Sequence, residues 1–176
     1  HGITDIVLSI YALPENFQNY FGDGSELGVR ISYSVEEKPL GTAGGVRKAL
    51  GDTTETSIIL SGDGIIDFDI TNMLAYRREK RSALTIVLKR TKKPTDYGIV
   101  ITDSDGRIEK FLEKPSWSEV FTDTVNTGMY IIEPSHITRH IPEDEKFDFS
   151  LDLFPLLRKK KVPMYGFITD DYWCDV

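Results

Sequence analysis

The chain has 176 residues, and its 21 Lys and Arg against 28 Asp and Glu give a formal charge of 21 − 28 = −7. This length predicts one domain, and 40% apolar with 28% charged residues is typical of a globular protein and excludes the disordered and fibrous classes. The acidic balance opposes binding to a nucleic-acid backbone, and no apolar run approaches the ~20 residues that cross a bilayer. The single cysteine, Cys174, allows no internal disulfide and favours a reducing, cytoplasmic location.

Strand and helix patterns alternate along the chain, which predicts an α/β fold with a largely parallel sheet. Strands are predicted at 3–10, 30–38, 57–60, 83–89, 98–102, 107–112, 125–132, 164–168 and 172–176. Helices are predicted at 43–50, at 69–81, from 135, and at about 150–161. Pro155 lies in the first turns of the last helix or kinks it. Turn-forming residues at 103–106 predict a hairpin between the strands on either side.

Small residues fill the segment 39–45, between a predicted strand and a predicted helix. Backbone amides in such a loop can closely approach a flat base or a phosphate. Glycines serve any sharp turn equally well, without a ligand. The spacing matches neither the P-loop nor GxGxxG, so both interpretations stay open on the residues alone.

Two carboxylates stand at notable places in predicted strands. Asp63 follows the strand at 57–60, where open α/β sheets gather their ligands, and the alternative is a cap for the next segment. Asp175 lies among apolar and aromatic neighbours, where a carboxylate needs a cation or hydrogen-bond donors. If the two meet, they can share a hard ion such as Mg²⁺.

Four further polar residues adjoin or interrupt later strands. Lys114 offers a point charge for a phosphate and Glu113 an acceptor for hydroxyls, with plain exposure to solvent as the alternative. Asn126 and Thr127 place an amide and a hydroxyl in an otherwise apolar strand. Two roles are open for these residues: they bind a ligand, or they satisfy local backbone groups.

Several short strings, in this order, resemble those of a sugar-phosphate nucleotidylyltransferase, nearest to the mannose-1-phosphate guanylyltransferase branch. They are PLGTAGG at 39–45, LSGD at 60–63, YGIV at 97–100, FLEKP at 111–115, NTGMYI at 126–131, FDFSLDLFP at 147–155 and YWCDV at 172–176. The resemblance covers nearly the whole chain. It implies that residues 1–176 form one partial domain, a three-layer α/β/α, Rossmann-like nucleotidyltransferase domain with a mixed, mostly parallel sheet.

The resemblance also implies a reaction and the residues that carry it. A nucleotidyl group passes from a nucleoside triphosphate to a sugar 1-phosphate, giving a nucleotide sugar and pyrophosphate. The implied residues are catalytic Asp63, Lys114 and Asp175, of which the two aspartates would hold Mg²⁺; sugar-binding Gly98, Glu113, Asn126 and Thr127; and nucleotide-binding Glu36, Pro39, Gly41 and Thr42. The expected partners are these small substrates, with neither nucleic acid nor membrane, and a homo-oligomer is compatible with the sequence.

The choice of nucleotide depends on Glu36. A carboxylate there accepts both N–H donors on the Watson–Crick edge of guanine, whereas an amide suits a pyrimidine, so GTP and mannose 1-phosphate are the expected substrates. Two alternatives stay open: a non-catalytic regulatory subunit that binds nucleotide sugar, and a glucose-1-phosphate enzyme that uses ATP, UTP or dTTP. The family's GGxGTRL loop has no counterpart in residues 1–176, so an N-terminally truncated and inactive fragment is a further expectation.

Overall fold

The computed structural model describes residues 1–176, which divide into two compact units. The first unit contains residues 1–53 and 141–149, and the second contains residues 54–140 and 150–176. That residues 1–176 form one domain stays a prediction. None of the helices has the length and apolar character that crossing a membrane requires.

The first unit is built on two parallel strands, β1 (Asp5–Ile10) and β2 (Arg30–Val35), which are joined through helix α1 (Pro14–Phe21). Helix α2 (Gly41–Leu50) follows β2 and packs on both strands. The apolar side chains that alternate along the strands supply the small core of this unit, because each strand turns every second residue inward.

The second unit holds the remaining strands and helices. Its strands are β3 (Ser57–Ile59), β4 (Gly64–Asp67), β5 (Leu84–Arg90), β6 (Ile99–Thr102), β7 (Ile108–Leu112), β8 (Thr124–Ile132), β9 (Met164–Thr169) and β10 (Tyr172–Asp175). Its helices are α3 (Ile70–Lys80), α4 (Pro134–Ile137) and α5 (Phe154–Lys159). The main sheet has the order β7-β6-β8-β5-β9, with β3 also paired to β8, and β4 pairs with β10 in a separate two-stranded ribbon.

Helices cover both faces of the main sheet. On one face, Val87 of β5 packs with Met73 of α3 in a buried cluster. On the other face, Ile86 lines a small cavity together with Phe154 of α5. Successive residues of a strand point to opposite faces, so the central strand β5 is buried from both sides, which confirms the predicted α/β/α layering for this unit.

Several predicted elements are confirmed. Strands β6 and β7 form the predicted hairpin, with Ile99 opposite Leu112. Asp69 is the N-cap of α3, where its carboxylate accepts a hydrogen bond from the backbone N–H of Asn72 at 3.1 Å. Pro155 lies in the first turn of α5 and causes no kink, because a proline there interrupts no helical hydrogen bond.

The predicted mixed sheet is confirmed, but its mostly parallel character was wrong. Only the pairs β1–β2 and β5–β9 are parallel, and every other strand pair is antiparallel. A parallel pair requires a long crossover, usually a helix, whereas antiparallel strands join through a tight turn. No α-helix separates β6, β7 and β8, so these three strands pair antiparallel.

Candidate active site

A bulge in β8 organises the candidate site in the second unit. Tyr130 lies opposite Ile86 and Asn126 lies opposite Leu88. The paired positions are therefore four residues apart in β8 but only two residues apart in β5. Gly128, at the centre of this bulge, has φ +77°, a conformation that glycine adopts without strain. The bulge therefore brings Asn126 and Tyr130 closer together than a regular strand would.

The bulge faces a gap in the neighbouring strands. The outer edge of β8 pairs with β3 at one end, where Ile59 lies opposite Tyr130, and with β6 at the other end, where Ile99 lies opposite Val125. One backbone hydrogen bond lies on each side of this gap. The backbone N–H of Ser61 donates to the Gly128 carbonyl at 3.2 Å, and the backbone N–H of Asn126 donates to the Gly98 carbonyl at 2.8 Å.

The predicted sugar-phosphate residues gather beside Gly98. A Cβ built at Gly98 would lie 2.8 Å from Glu113 Oε2, so the Glu113 carboxylate rests directly against this glycine. The backbone N–H of Lys114 donates to the Tyr97 carbonyl at 3.2 Å, which extends the β6–β7 pairing two residues beyond Ile99 and Leu112. Lys114 itself is exposed and has φ +40°, a strained value for a residue with a side chain.

The ribbon of β4 and β10 brings the backbone segments of the two predicted metal carboxylates side by side. Asp175 lies opposite Gly64, and the Val176 amide donates to the Asp63 carbonyl at 3.0 Å. Both aspartate side chains are exposed. The Ser61 hydroxyl donates a hydrogen bond to Asp63 Oδ1, which holds this carboxylate next to the bulge.

An aromatic pair connects the ribbon to the Gly98 side of the site. The rings of Tyr97 and Trp173 meet edge to face with centroids 5.0 Å apart. Burial, and then the negative charge of Asp175, raise the pKa of Tyr97 above its ordinary value. The hydroxyl therefore stays protonated at neutral pH and remains a hydrogen-bond donor.

Thr127 has a local role in this structure. Its hydroxyl is buried, donates to the Val87 carbonyl at 2.9 Å and accepts from the Met129 amide at 3.4 Å. These bonds hold the bulge against β5. They agree with the alternative that Thr127 satisfies local backbone groups. Its contact with a sugar stays a prediction.

In the first unit, Glu36 follows the carboxyl end of β2. Its Oε2 accepts from the Leu40 amide at 2.9 Å, and its Oε1 accepts from the Ser9 hydroxyl at 3.2 Å. A Cβ at Gly45 would lie 2.5 Å from Oε1, so this glycine makes room for the carboxylate. Glu36 is thus held in a fixed position by the segment that contains Pro39.

The predicted loop at 39–45 is corrected by the structure: α2 begins at Gly41, two residues before the predicted start. The Phe147 carbonyl accepts from the amides of Ala43 and Gly44, both at 3.0 Å. Thr42 Oγ1 donates to Asp148 at 2.7 Å and accepts from the Phe149 amide at 3.0 Å. The two amides are therefore engaged by the chain itself, whereas nucleotide contacts by Gly41 and Thr42 stay predictions.

Three residues of the site were missed by the sequence analysis: Ser61, Gly128 and Tyr130. A glycine inside an apolar strand is the usual signal of a bulge or a close approach, and a Cβ at Gly128 would lie 3.1 Å from Ser61 Cβ. Among the sequence-predicted residues, the second unit brings together the backbones of Asp63 and Asp175 in the ribbon, and gathers Glu113, Lys114 and Asn126 around Gly98 and its neighbour Tyr97.

Comparisons with known proteins identify related sequences. The chain is 36% identical to a UTP–glucose-1-phosphate uridylyltransferase of Synechocystis sp., covering 100% of this chain and 49% of the relative. It is 35% identical to a mannose-1-phosphate guanylyltransferase of Mycobacterium tuberculosis, covering 99% and 48%. The chain thus spans about half the length of these relatives.

Solved structures share the fold. The crystal structure of HddC from Yersinia pseudotuberculosis superposes with a TM-score of 0.82 at 24% identity, covering 99% of this chain and 73% of that one. The family model described as nucleotidyl transferase matches residues 1–176. This chain therefore belongs to the nucleotidyl transferase family.

Proposed function

We propose that the protein transfers a nucleotidyl group from GTP to mannose 1-phosphate, giving GDP-mannose and pyrophosphate. The observation that carries the proposal is the backbone arrangement of the second unit, which pairs the Asp63 segment with the Asp175 strand and places Glu113 and Asn126 beside Gly98. In this reaction an oxygen of the sugar phosphate attacks the α-phosphorus of the triphosphate, and pyrophosphate leaves. Such a step requires positioning and charge neutralisation more than a strong base.

The sugar-phosphate end of the substrate fits the residues beside Gly98. The exposed ammonium of Lys114 is a point charge for the phosphate, and the Glu113 carboxylate accepts hydrogen bonds from sugar hydroxyls. Because Gly98 has no side chain, the Glu113 carboxylate and the Phe111 ring can lie directly against its backbone. Asn126 offers its side-chain amide from β8, whose backbone pairs with Gly98 at this residue.

The donor chemistry of Asp63 and Asp175 fits a divalent cation. Both are exposed carboxylates on paired backbone, and hard oxygen donors are the ligands that Mg²⁺ takes in proteins. Members of this family generally use a divalent metal, and we assign it to these two residues. Bound there, Mg²⁺ would neutralise phosphate oxygens in a protein whose own net charge is −7.

Glu36 supports GTP as the nucleotide. A carboxylate has about four acceptor positions, and the Leu40 amide and Ser9 hydroxyl occupy one on each oxygen. The acceptors that remain match the two N–H donors of guanine. Uracil presents one N–H on its pairing edge and so gains less from a carboxylate.

We expect Glu36→Gln to lower the ratio of kcat/KM for GTP to that for UTP by about tenfold, because one charge-assisted hydrogen bond is lost. Steady-state rates with both nucleotides measure this ratio. Glu37→Gln is the matched control, since it removes the same charge from the neighbouring, exposed position. An unchanged ratio in the Glu36 variant would remove the basis for choosing GTP.

A uridylyltransferase acting on glucose 1-phosphate is the second candidate, and the 36% identity to the Synechocystis enzyme favours it. A non-catalytic regulatory subunit is a weaker alternative, since such a protein has no need of both metal carboxylates. Thermal unfolding with GDP-mannose and with UDP-glucose, each with and without Mg²⁺, separates these candidates, because a ligand that binds the native state raises Tm.

The decisive experiment is pyrophosphate release by the full-length polypeptide that contains these residues, with GTP and mannose 1-phosphate. Turnover that requires both substrates is the expected result. Turnover with only UTP and glucose 1-phosphate would transfer the assignment to the second candidate. Binding of nucleotide sugar without turnover would favour the regulatory subunit.

A further inference from the structure

Behind the candidate sugar-binding amide lies a buried tyrosine. Asn126 Nδ2 donates to the Tyr130 hydroxyl at 2.9 Å, and Asn126 Oδ1 accepts from the Gly128 amide at 3.0 Å. The amide is therefore held at both ends. A flipped amide would place its NH₂ group against the Gly128 N–H, where two donors oppose each other.

The bulge makes this contact possible. Residues four apart in a regular strand are separated by about 13 Å, beyond the reach of a tyrosine hydroxyl to an asparagine amide. In β8, the two positions lie opposite Leu88 and Ile86, which are only two residues apart. Asn126 and Tyr130 consequently stand as neighbours on one face, with Gly128 presenting no side chain between them.

Tyr130 is itself firmly placed. It is 7% exposed, and its ring packs against that of Phe154 with centroids 5.7 Å apart. Phe154 packs in turn on Phe111, which adjoins Gly98. The hydroxyl is thus fixed by a core of rings, so it can fix the more exposed Asn126.

We propose that Tyr130 is a positioning residue that orients the Asn126 amide toward the sugar. The inference rests on the proposed function, because it takes Asn126 as a contact to the sugar 1-phosphate. One amide proton is engaged by Tyr130, which leaves the other for a sugar hydroxyl. Tyr130 acts on sugar recognition through Asn126 and makes no contact with the nucleotide.

The test is Tyr130→Phe, which removes the hydroxyl and retains the ring against Phe154. We expect KM for the sugar 1-phosphate to rise about fivefold, as for the loss of one hydrogen bond, while KM for the nucleotide stays unchanged. In an Asn126→Ala background, the same change should have no further effect on that KM, since the two residues act as a unit.

Tyr76→Phe is the matched control, because its hydroxyl donates to the Gly166 carbonyl at 3.0 Å in the same unit and lies away from Asn126. It should leave both KM values unchanged. An active wild type with an unchanged sugar KM in Tyr130→Phe, or additive effects in the double variant, would overturn this inference alone. A wild type that neither binds nor turns over any sugar 1-phosphate would overturn the proposed function and this inference with it.

Discussion

We expect Asp175→Asn to lower the proposed nucleotidyl transfer on the order of a thousandfold, because the metal that we propose here, worth several kcal/mol of charge stabilisation, would lose one of its two carboxylate ligands. An amide oxygen carries no net charge and binds a hard cation weakly. The fold should survive, since the Asp175 side chain is exposed and its strand pairs with β4 through backbone atoms. Pyrophosphate release as a function of Mg²⁺ concentration measures the loss.

Asp170→Asn provides the matched control for this prediction. Asp170 is an exposed aspartate in the turn that precedes β10, so its replacement removes the same charge outside the paired ribbon. We expect it to keep the wild-type rate and the same Mg²⁺ dependence. If Asp175→Asn also kept both, the assignment of the metal to Asp63 and Asp175 would be wrong.

The sequence predicted most of the strands that carry the candidate site residues, because these strands depend on local sequence signals. Asp63 directly precedes β4, Asp175 ends β10, and Glu113 with Lys114 follows a hairpin whose turn is encoded within 103–106. These four side chains are charged while many of their sequence neighbours are apolar, so each can be found from the sequence alone. Which of them meet depends on strand pairing, and the sequence patterns specify the strands better than their partners.

The parts that sequence analysis missed depend on contacts between distant residues. The start of α2 is set by the Phe147 carbonyl, more than ninety positions along the chain, and no local signal at 39–45 reports it. In the β8 bulge, Thr127 bonds to Val87 of β5 and Gly128 bonds to Ser61, which follows β3, so both partners lie far away in the sequence. The sequence Asn126-Thr127-Gly128 is compatible with such a bulge but does not specify which residues it bonds to.

We expect Gly41→Ala to destabilise the first unit strongly, for two physical reasons. Gly41 has φ +70°, which costs a residue with a Cβ about 1–2 kcal/mol. A Cβ there would also lie 2.7 Å from the Phe147 carbonyl oxygen, and displacing backbone costs about 1–3 kcal/mol more. The same carbonyl accepts from Ala43 and Gly44, so moving it weakens the start of α2 as well. The free energy of unfolding in urea measures the combined loss.

Gly28→Ala separates the two contributions. Gly28 has φ +72°, nearly the value at Gly41, but a Cβ there meets nothing within 4 Å. Its replacement should therefore cost only the backbone strain, about 1–2 kcal/mol. The difference between the two variants is the cost of the close approach of Phe147 to α2. Equal losses in the two variants would show that the close approach of the Phe147 carbonyl adds no cost at Gly41.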